Sequence, residues 1–394
     1  MTISNKIQQL LSQGSWIRKM FEEGARLREI HGIENVFDFS LGNPNIPPPP
    51  AFHNTLKRLV DANEPGAHGY MANIGYPETR RAIASFVSTE QNVTLTENEI
   101  VMTCGAAGAL NVVFKAILDP GDEVIAPIPI FVDYRAYVDN HGGVLRPVPS
   151  QPDFNLDLDA ISAVINEKTK AVLINSPHNP TGQVYPRETI QALGALLTEK
   201  GKSLGRTLYL VSDEPYRKIV YDGVKVPSIF DAYPNSLICT SYSKDLSLPG
   251  ERIGFVAACP DIFDKPVMLQ GLVFANRMLG FINAPALMQR VVAHLQGISV
   301  DVGAYQRKRD LLCDGLAACG YTFLRPKGAF YLFPESPIPD DTAFVRELQK
   351  ELILAVPGSG FGLQGYFRIA YCVEDSVIQK AMPGFKRAME RVKR

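Results

Sequence analysis

No stretch of the chain approaches the ~18 consecutive apolar residues of a membrane span. Its first residues, MTISNKIQQLLSQGSW, are amphipathic and polar, without the apolar block of a secretory signal. A cytoplasmic protein without a membrane partner is therefore expected. Neither charge is in excess: 40 basic residues face 41 acidic ones, which leaves no electrostatic footprint for nucleic acid. Cysteine is sparse and scattered. Cys104, Cys239, Cys259, Cys313, Cys319 and Cys372 contain no CxxC spacing, and several lie inside apolar runs. This argues against a disulfide framework or zinc ribbon and fits free thiols in a reducing compartment. The six histidines are equally dispersed and no HExxH occurs, so no metal site is expected.

What is present is an ordinary globular composition, 46% apolar and 21% charged, in 394 residues. Single cores rarely grow to that length, so two domains are expected. Through the middle of the chain, short apolar runs alternate with helical patterns. EIVMTCG (99–105) reads as a strand feeding a helix, in which Ala109, Val112, Val113, Ala116 and Ile117 recur at helical spacing. The runs VIAPIP, KAVLINS, TLYLVSD, SLICTS and RIGFVAAC are further strand candidates. DLDAISAVINE and PRETIQALGALLTEK read as amphipathic helices, the second with Pro186 near its first turn. Nearly all-apolar strands alternating with helices predict an α/β fold with a mostly parallel sheet covered on both faces.

The two ends differ from the middle. Residues 1–35 are helical and charged, and GNPNIPPPP (42–50) is an extended, polyproline-like connector. Beyond about residue 290 come a helix, GAFYLF, DDTAFVRELQKEL, YFRIAY and a final helical pattern. These predict a small α+β unit assembled from both termini. The expected division is 1–47 for an N-terminal arm and part of the small domain, 48–290 for the large domain, and 291–394 for the C-terminal part of the small domain.

In open α/β sheets ligands bind beyond the carboxyl ends of the strands, so the residues that follow each strand candidate matter. After EIVMTC come Gly105, Ala106, Ala107 and Gly108, whose free N–H groups at a helix start would cradle an anion such as a phosphate. SPHNPTG places Asn179 in a turn, and SDEPYR carries Asp213 with Tyr216 three residues on. SYSKDLSLPGERIG, too polar for a core strand, carries Ser241, Lys244 and Arg252. Taken alone, such a lysine is more often a solvated charge than a nucleophile, and an Asp after a strand is most often a helix cap. A lysine, an acid and a phosphate cradle at one sheet edge together suit pyridoxal phosphate, which needs an amine for its Schiff base and an acid for its ring nitrogen.

SYSKDLSLPGERIG, SPHNPTG, SDEPY and YFRIAY, in this order and spacing, resemble the class I/II aminotransferases of the aspartate aminotransferase fold. The likeness runs from FSLGNPNIPPP to FRIAY. It implies the pyridoxal-phosphate-dependent transferase fold type I, with a mostly parallel seven-stranded sheet. By the same resemblance Lys244 would carry pyridoxal 5'-phosphate as a Schiff base and shuttle the proton at the substrate α-carbon. Asp213 would pair with the ring nitrogen, and Tyr216 and Asn179 would hydrogen-bond the phenolic oxygen. Arg252, Ser241 and the Gly105–Ala107 backbone would hold the phosphate, and Phe131 in PIPIFVDY would stack on the ring. Arg368 would grip the substrate α-carboxylate with help from Gly42 and Asn179. Tyr70 would reach the phosphate of a neighbouring subunit, implying a homodimer with shared sites.

The implied reaction moves an amino group between an L-amino acid and a 2-oxo acid by a ping-pong mechanism, with 2-oxoglutarate and glutamate as one pair. β-Lyases acting on C–S bonds share Lys244, Asp213 and Arg368, so the motifs alone do not separate them from transaminases. Aminotransferase-like sensor domains follow a DNA-binding domain, for which the roughly forty residues ahead of SLGNP leave little room. A dicarboxylate substrate would want a second cation. Some relatives place a lysine in the phosphate turn, but here the turn is Gly-Ala-Ala-Gly, which leaves Arg18 and Arg277 as candidates.

Overall fold

The computed structural model describes residues 2–8 and 16–393, the side chains of residues 17–19 and 21 excepted. β1 (Phe37–Asp38) is a short N-terminal strand. The apolar runs of the middle region then form one sheet from β2 (Ile100–Thr103), β3 (Glu123–Pro127), β4 (Val144–Val148), β5 (Thr169–Asn175), β6 (Tyr209–Asp213), β7 (Ser236–Ser241) and β8 (Gly254–Ala258). Its order is β2-β8-β7-β6-β5-β3-β4. β8 runs antiparallel to both neighbours, and the other pairings are parallel. Every residue of β2, β3, β6 and β8 is buried, as a sheet covered on both faces requires.

β4 is the strand that the apolar pattern does not reveal. Its sequence, VLRPV, is half exposed. It lies at the sheet edge, where a proline costs no ladder hydrogen bond. The helices match their patterns closely. Helix Gly105–Ile117 buries Ala109, Val112, Val113 and Ile117 against the sheet. Helix Arg187–Leu204 starts directly after Pro186 and stops at Gly205, whose φ of 63° suits glycine. Helix Leu158–Val164 is shorter than its amphipathic pattern suggests. Asp157 caps its start by accepting the Ala160 N–H.

A second core forms beyond the sheet. β9 (Tyr331–Leu332), β10 (Ile353–Leu354), β11 (Val356–Pro357) and β12 (Phe367–Ala370) are short. β9, β11 and β12 make an antiparallel trio, and β10 pairs parallel with β1. Around them lie helices Val302–Ala318, Asp341–Gln349 and Asp375–Val392. The core is aromatic: Tyr305, Phe330, Phe344, Phe361, Phe367 and Phe385 are fully buried, and Phe39 from the N-terminal segment packs 5.9 Å from Phe385. Each such ring contributes roughly 1.5–3 kcal/mol by burial, which ties residues 20 and 37–39 to the C-terminal third. Among the described residues no helix is long and apolar enough to cross a membrane.

Candidate active site

Because β5, β6 and β7 are parallel and adjacent, their last residues, Asn175, Asp213 and Ser241, come out at one edge. Asn175 and Asp213 are register partners. The reversed direction of β8 matters as much. Residues 242–253 leave β7 and return to β8 at that same edge, so Lys244 and Arg252 both stay there. Beyond this edge lies a cavity of about 340 Å³, lined by Gly42, Ala106, Ala107, Phe131, Asn179, Asp213, Tyr216, Ser241, Lys244, Arg252 and Arg368. The sheet topology thus gathers the segments after β5, β6 and β7, while Gly42 and Arg368 reach the cavity from the N-terminal connector and β12.

The charged groups are poised unusually. Lys244 Nζ donates to the Gly42 carbonyl at 2.7 Å and lies 5.5 Å from the centroid of Phe330. Burial lowers its pKa to about 8, and Arg368 and Arg252 push the same way against an opposing effect of Cys372. Asp213 is buried, and burial raises its pKa to about 7 although the Tyr134 hydroxyl donates to its Oδ2 at 2.6 Å. Its other oxygen, Oδ1, is buried without a hydrogen-bond partner among the described residues. Arg368 is 2% exposed and donates from Nη1 to Asn179 Oδ1 at 3.1 Å and from Nη2 to the Ser40 carbonyl at 2.6 Å. Its Nε is unsatisfied, and no carboxylate pairs with it among the described residues. A buried guanidinium without an acid is costly unless a ligand brings one.

The opposite wall is built for an anion. Helix Gly105–Ile117 starts here without a side-chain cap, leaving its first N–H groups free. Gly105 has φ +74°, and a Cβ on it would come within 2.9 Å of Arg252 Nη2, so glycine lets the guanidinium close onto the turn. Arg252 itself donates to the Pro249 carbonyl at 2.8 Å. Ser241 is buried beside it, its Oγ accepting the Ser243 N–H at 3.4 Å. Phe131 forms part of the wall, edge-on to Tyr134 at 5.5 Å. Asn179 is held in place by its own backbone, whose N–H donates to Asn175 Oδ1 at 2.7 Å.

Some of the residues singled out in the sequence are not brought here. Tyr70 is 93% exposed and apart from the cavity of its own chain. Arg277 is exposed and lines a separate groove with Asn73 and Phe274. The Arg18 side chain lies outside the described residues. Conversely, the structure adds Tyr134, Asn175 and Tyr331 to the cavity wall. Asn175 could have been found as a polar residue ending an apolar strand, in register with Asp213. Tyr134, three residues after Phe131, and Tyr331, inside GAFYLF, read as core rings.

The family described as aminotransferase class I and II matches residues 34–384. An aspartate/prephenate aminotransferase of Thermus thermophilus is 33% identical over 89% of this chain and 90% of its own length. An aspartate aminotransferase of Pyrococcus abyssi is 32% identical over the full length of both. Among solved structures, an aminotransferase from Eubacterium rectale superposes with a TM-score of 0.97 at 42% identity, covering both chains completely. The Thermus thermophilus aspartate aminotransferase structure, in a single-mutant form, gives 0.88 at 29% identity over 98% of this chain and 100% of that one. The chain belongs to the class I and II aminotransferases, pyridoxal-phosphate-dependent enzymes that move amino groups between amino acids and 2-oxo acids.

Proposed function

We propose that the residues converging on this cavity are the transamination machinery, with glutamate and 2-oxoglutarate as one substrate pair in a ping-pong cycle. The observation that carries the reading is Arg368, a buried guanidinium without an acid, in the same cavity as a lysine with a lowered pKa. Relatives named aspartate aminotransferase support a dicarboxylate as one substrate. The presence of two cores supports a large domain and a small one built from both termini, divided near 48–290 against 1–47 and 291–394, although Val291, Val292 and Leu295 still pack in the large core. All six cysteines are free, which supports the cytoplasm as compartment.

The residues present fit pyridoxal phosphate. The orphaned Asp213 Oδ1 suits a ring N–H, and the uncapped helix start with Arg252 suits a phosphate. Asp213, Tyr216, Asn179, Ser241, Arg252, Phe131 and the Gly105–Ala107 backbone would hold the group, and Lys244 would bind it covalently. When bound, the cofactor supplies an electron-withdrawing ring that accepts the electron pair left when a bond to the substrate α-carbon breaks.

The chain does the rest. Arg368 binds the α-carboxylate through its fork of donors and fixes the α-carbon in the cavity. Asn179 Oδ1 and the Ser40 carbonyl hold the guanidinium in place. Lys244 Nζ, with a pKa of about 8 rather than its ordinary 10.5, is substantially neutral at mildly alkaline pH and can take the proton from the α-carbon. Asp213 ionises more readily once a cationic partner faces it, since an opposite charge counters the burial that raises its pKa. Tyr70 reaches the neighbouring subunit's site in a homodimer.

Borohydride reduction of the cofactor-loaded enzyme followed by peptide mapping should place the adduct on Lys244. Mixing the loaded enzyme with single amino acids should convert the cofactor to its amine form, seen by absorbance, with glutamate among the active donors. An adduct on another lysine, or no amino acid acting as donor, would sink the assignment.

A further inference from the structure

One hydroxyl on the cavity wall has no part in the reaction described so far. Tyr331 on β9 is 3% exposed, yet its Oη lies 2.8 Å from the Tyr216 Oη. A Cβ on Gly42 would fall 1.9 Å from the same oxygen. The hydroxyl therefore presses on the residue whose carbonyl accepts from Lys244. The Arg368 guanidinium stacks over the ring at 4.7 Å, and Tyr216 meets it edge-on at 5.7 Å. One phenol thus lies against Tyr216, assigned to the phenolic oxygen, Arg368, assigned to the carboxylate, and Gly42, whose carbonyl accepts from Lys244.

We propose that Tyr331 is a positioning residue whose hydroxyl donates to Tyr216 Oη and sets Tyr216 as the donor toward the cofactor's phenolic oxygen. The inference rests on the role proposed for Tyr216. A phenol carries one proton. If Tyr216 commits its own to the cofactor, its oxygen can only accept from Tyr331. Donors in series polarise one another, so the Tyr216 hydrogen bond strengthens. The titratable groups around the pair are Arg368 and Cys372 on and after β12, Lys244 on the β7–β8 loop, Asp213 at the end of β6 and Tyr134 on the wall beside Asp213. No hydrogen bond from Tyr331 Oη to any of them is found among the described residues; its partner is Tyr216.

A stronger donor at Tyr216 stabilises negative charge on the phenolic oxygen, so the proton shared at that oxygen is lost at lower pH. Tyr331→Phe keeps the ring and its stack under Arg368 and removes only the hydroxyl. In the loaded enzyme it should raise the pH midpoint of the cofactor's visible absorbance change by about half to one unit, roughly three- to tenfold in the proton equilibrium. In a Tyr216→Phe background the second substitution should add nothing, since the effect runs through Tyr216. Tyr331→3-fluorotyrosine, with a more acidic hydroxyl, should lower the midpoint instead. It decides the matter alone if the phenylalanine variant does not fold. A midpoint unmoved by Tyr331→Phe, an equal shift without the Tyr216 hydroxyl, or no downward shift with the fluorinated ring each overturns the proposal. A borohydride adduct away from Lys244 would overturn the site reading as well, whereas an adduct on Lys244 with an unmoved midpoint overturns Tyr331 alone.

Discussion

Burying Asp213 destabilises the chain that carries it when no cation answers it. Its native pKa of about 7 lies above the ordinary 3.8. Between those values the native state binds the extra proton, so stability falls as pH rises and the full penalty applies above about pH 7. Asp213→Asn keeps an acceptor for the Tyr134 hydroxyl and removes the charge. Without cofactor, the variant should be more stable than the parent at pH 8 by about 1–3 kcal/mol, with the gap closing below about pH 4. Its transamination should fall by more than about a hundredfold, the scale of losing a preorganised electrostatic contact. Denaturant unfolding at the two pH values checks the first claim, and a variant less stable than the parent at pH 8 would contradict it. Asp213, Asn179 and Lys244 could be singled out in the sequence because polar groups at or just beyond the ends of apolar runs stand out, but it was the family resemblance that gave them roles. Tyr134 and Tyr331 could not be singled out. A phenol among apolar neighbours looks like a core ring until its hydroxyl's partner is seen.

The connector through Gly42 and strand β9 meet at a single tight contact. An alanine Cβ at 42 would fall 1.9 Å from the Tyr331 Oη and 2.8 Å from its Cζ. Such an overlap must displace the ring or the backbone whose carbonyl accepts from Lys244. Gly42→Ala should cost about 1–3 kcal/mol, as overpacking generally does. Part of that loss should return in Gly42→Ala/Tyr331→Phe, because the closest contact is with the hydroxyl. Chemical denaturation of the two variants tests this, and an alanine variant as stable as the parent would mean that the connector yields freely. Neither segment advertised this contact. The connector has no periodicity, and β9, β10 and β11 each span two residues, too few for alternation to register. The longer strands of the sheet were plain because both faces are buried. β4 was hidden by Arg146 and Pro147, which only an edge tolerates.

At the scale of the whole molecule, the proposed homodimer is tested through Tyr70. Tyr70 is 93% exposed and lies apart from the cavity of its own chain. Helix Lys265–Met278 also exposes Val267, Phe274 and Met278, apolar side chains that a partner would cover. If Tyr70 crosses to the neighbouring subunit, each site draws its lysine from one chain and its tyrosine from the other. Tyr70→Ala and Lys244→Ala would each cripple both sites of their own homodimers. In the mixed dimer, one site keeps both native residues and the other loses both. Co-refolded at equal amounts, the two variants should recover about a quarter of the parental sites, since half the dimers are mixed and each holds one good site. Tyr70→Ala alone should release cofactor more readily on dilution, because retention depends on assembly. Activity that stays at the level of the separate variants, despite subunit exchange shown by mass-tagged chains, would return Tyr70 to the surface.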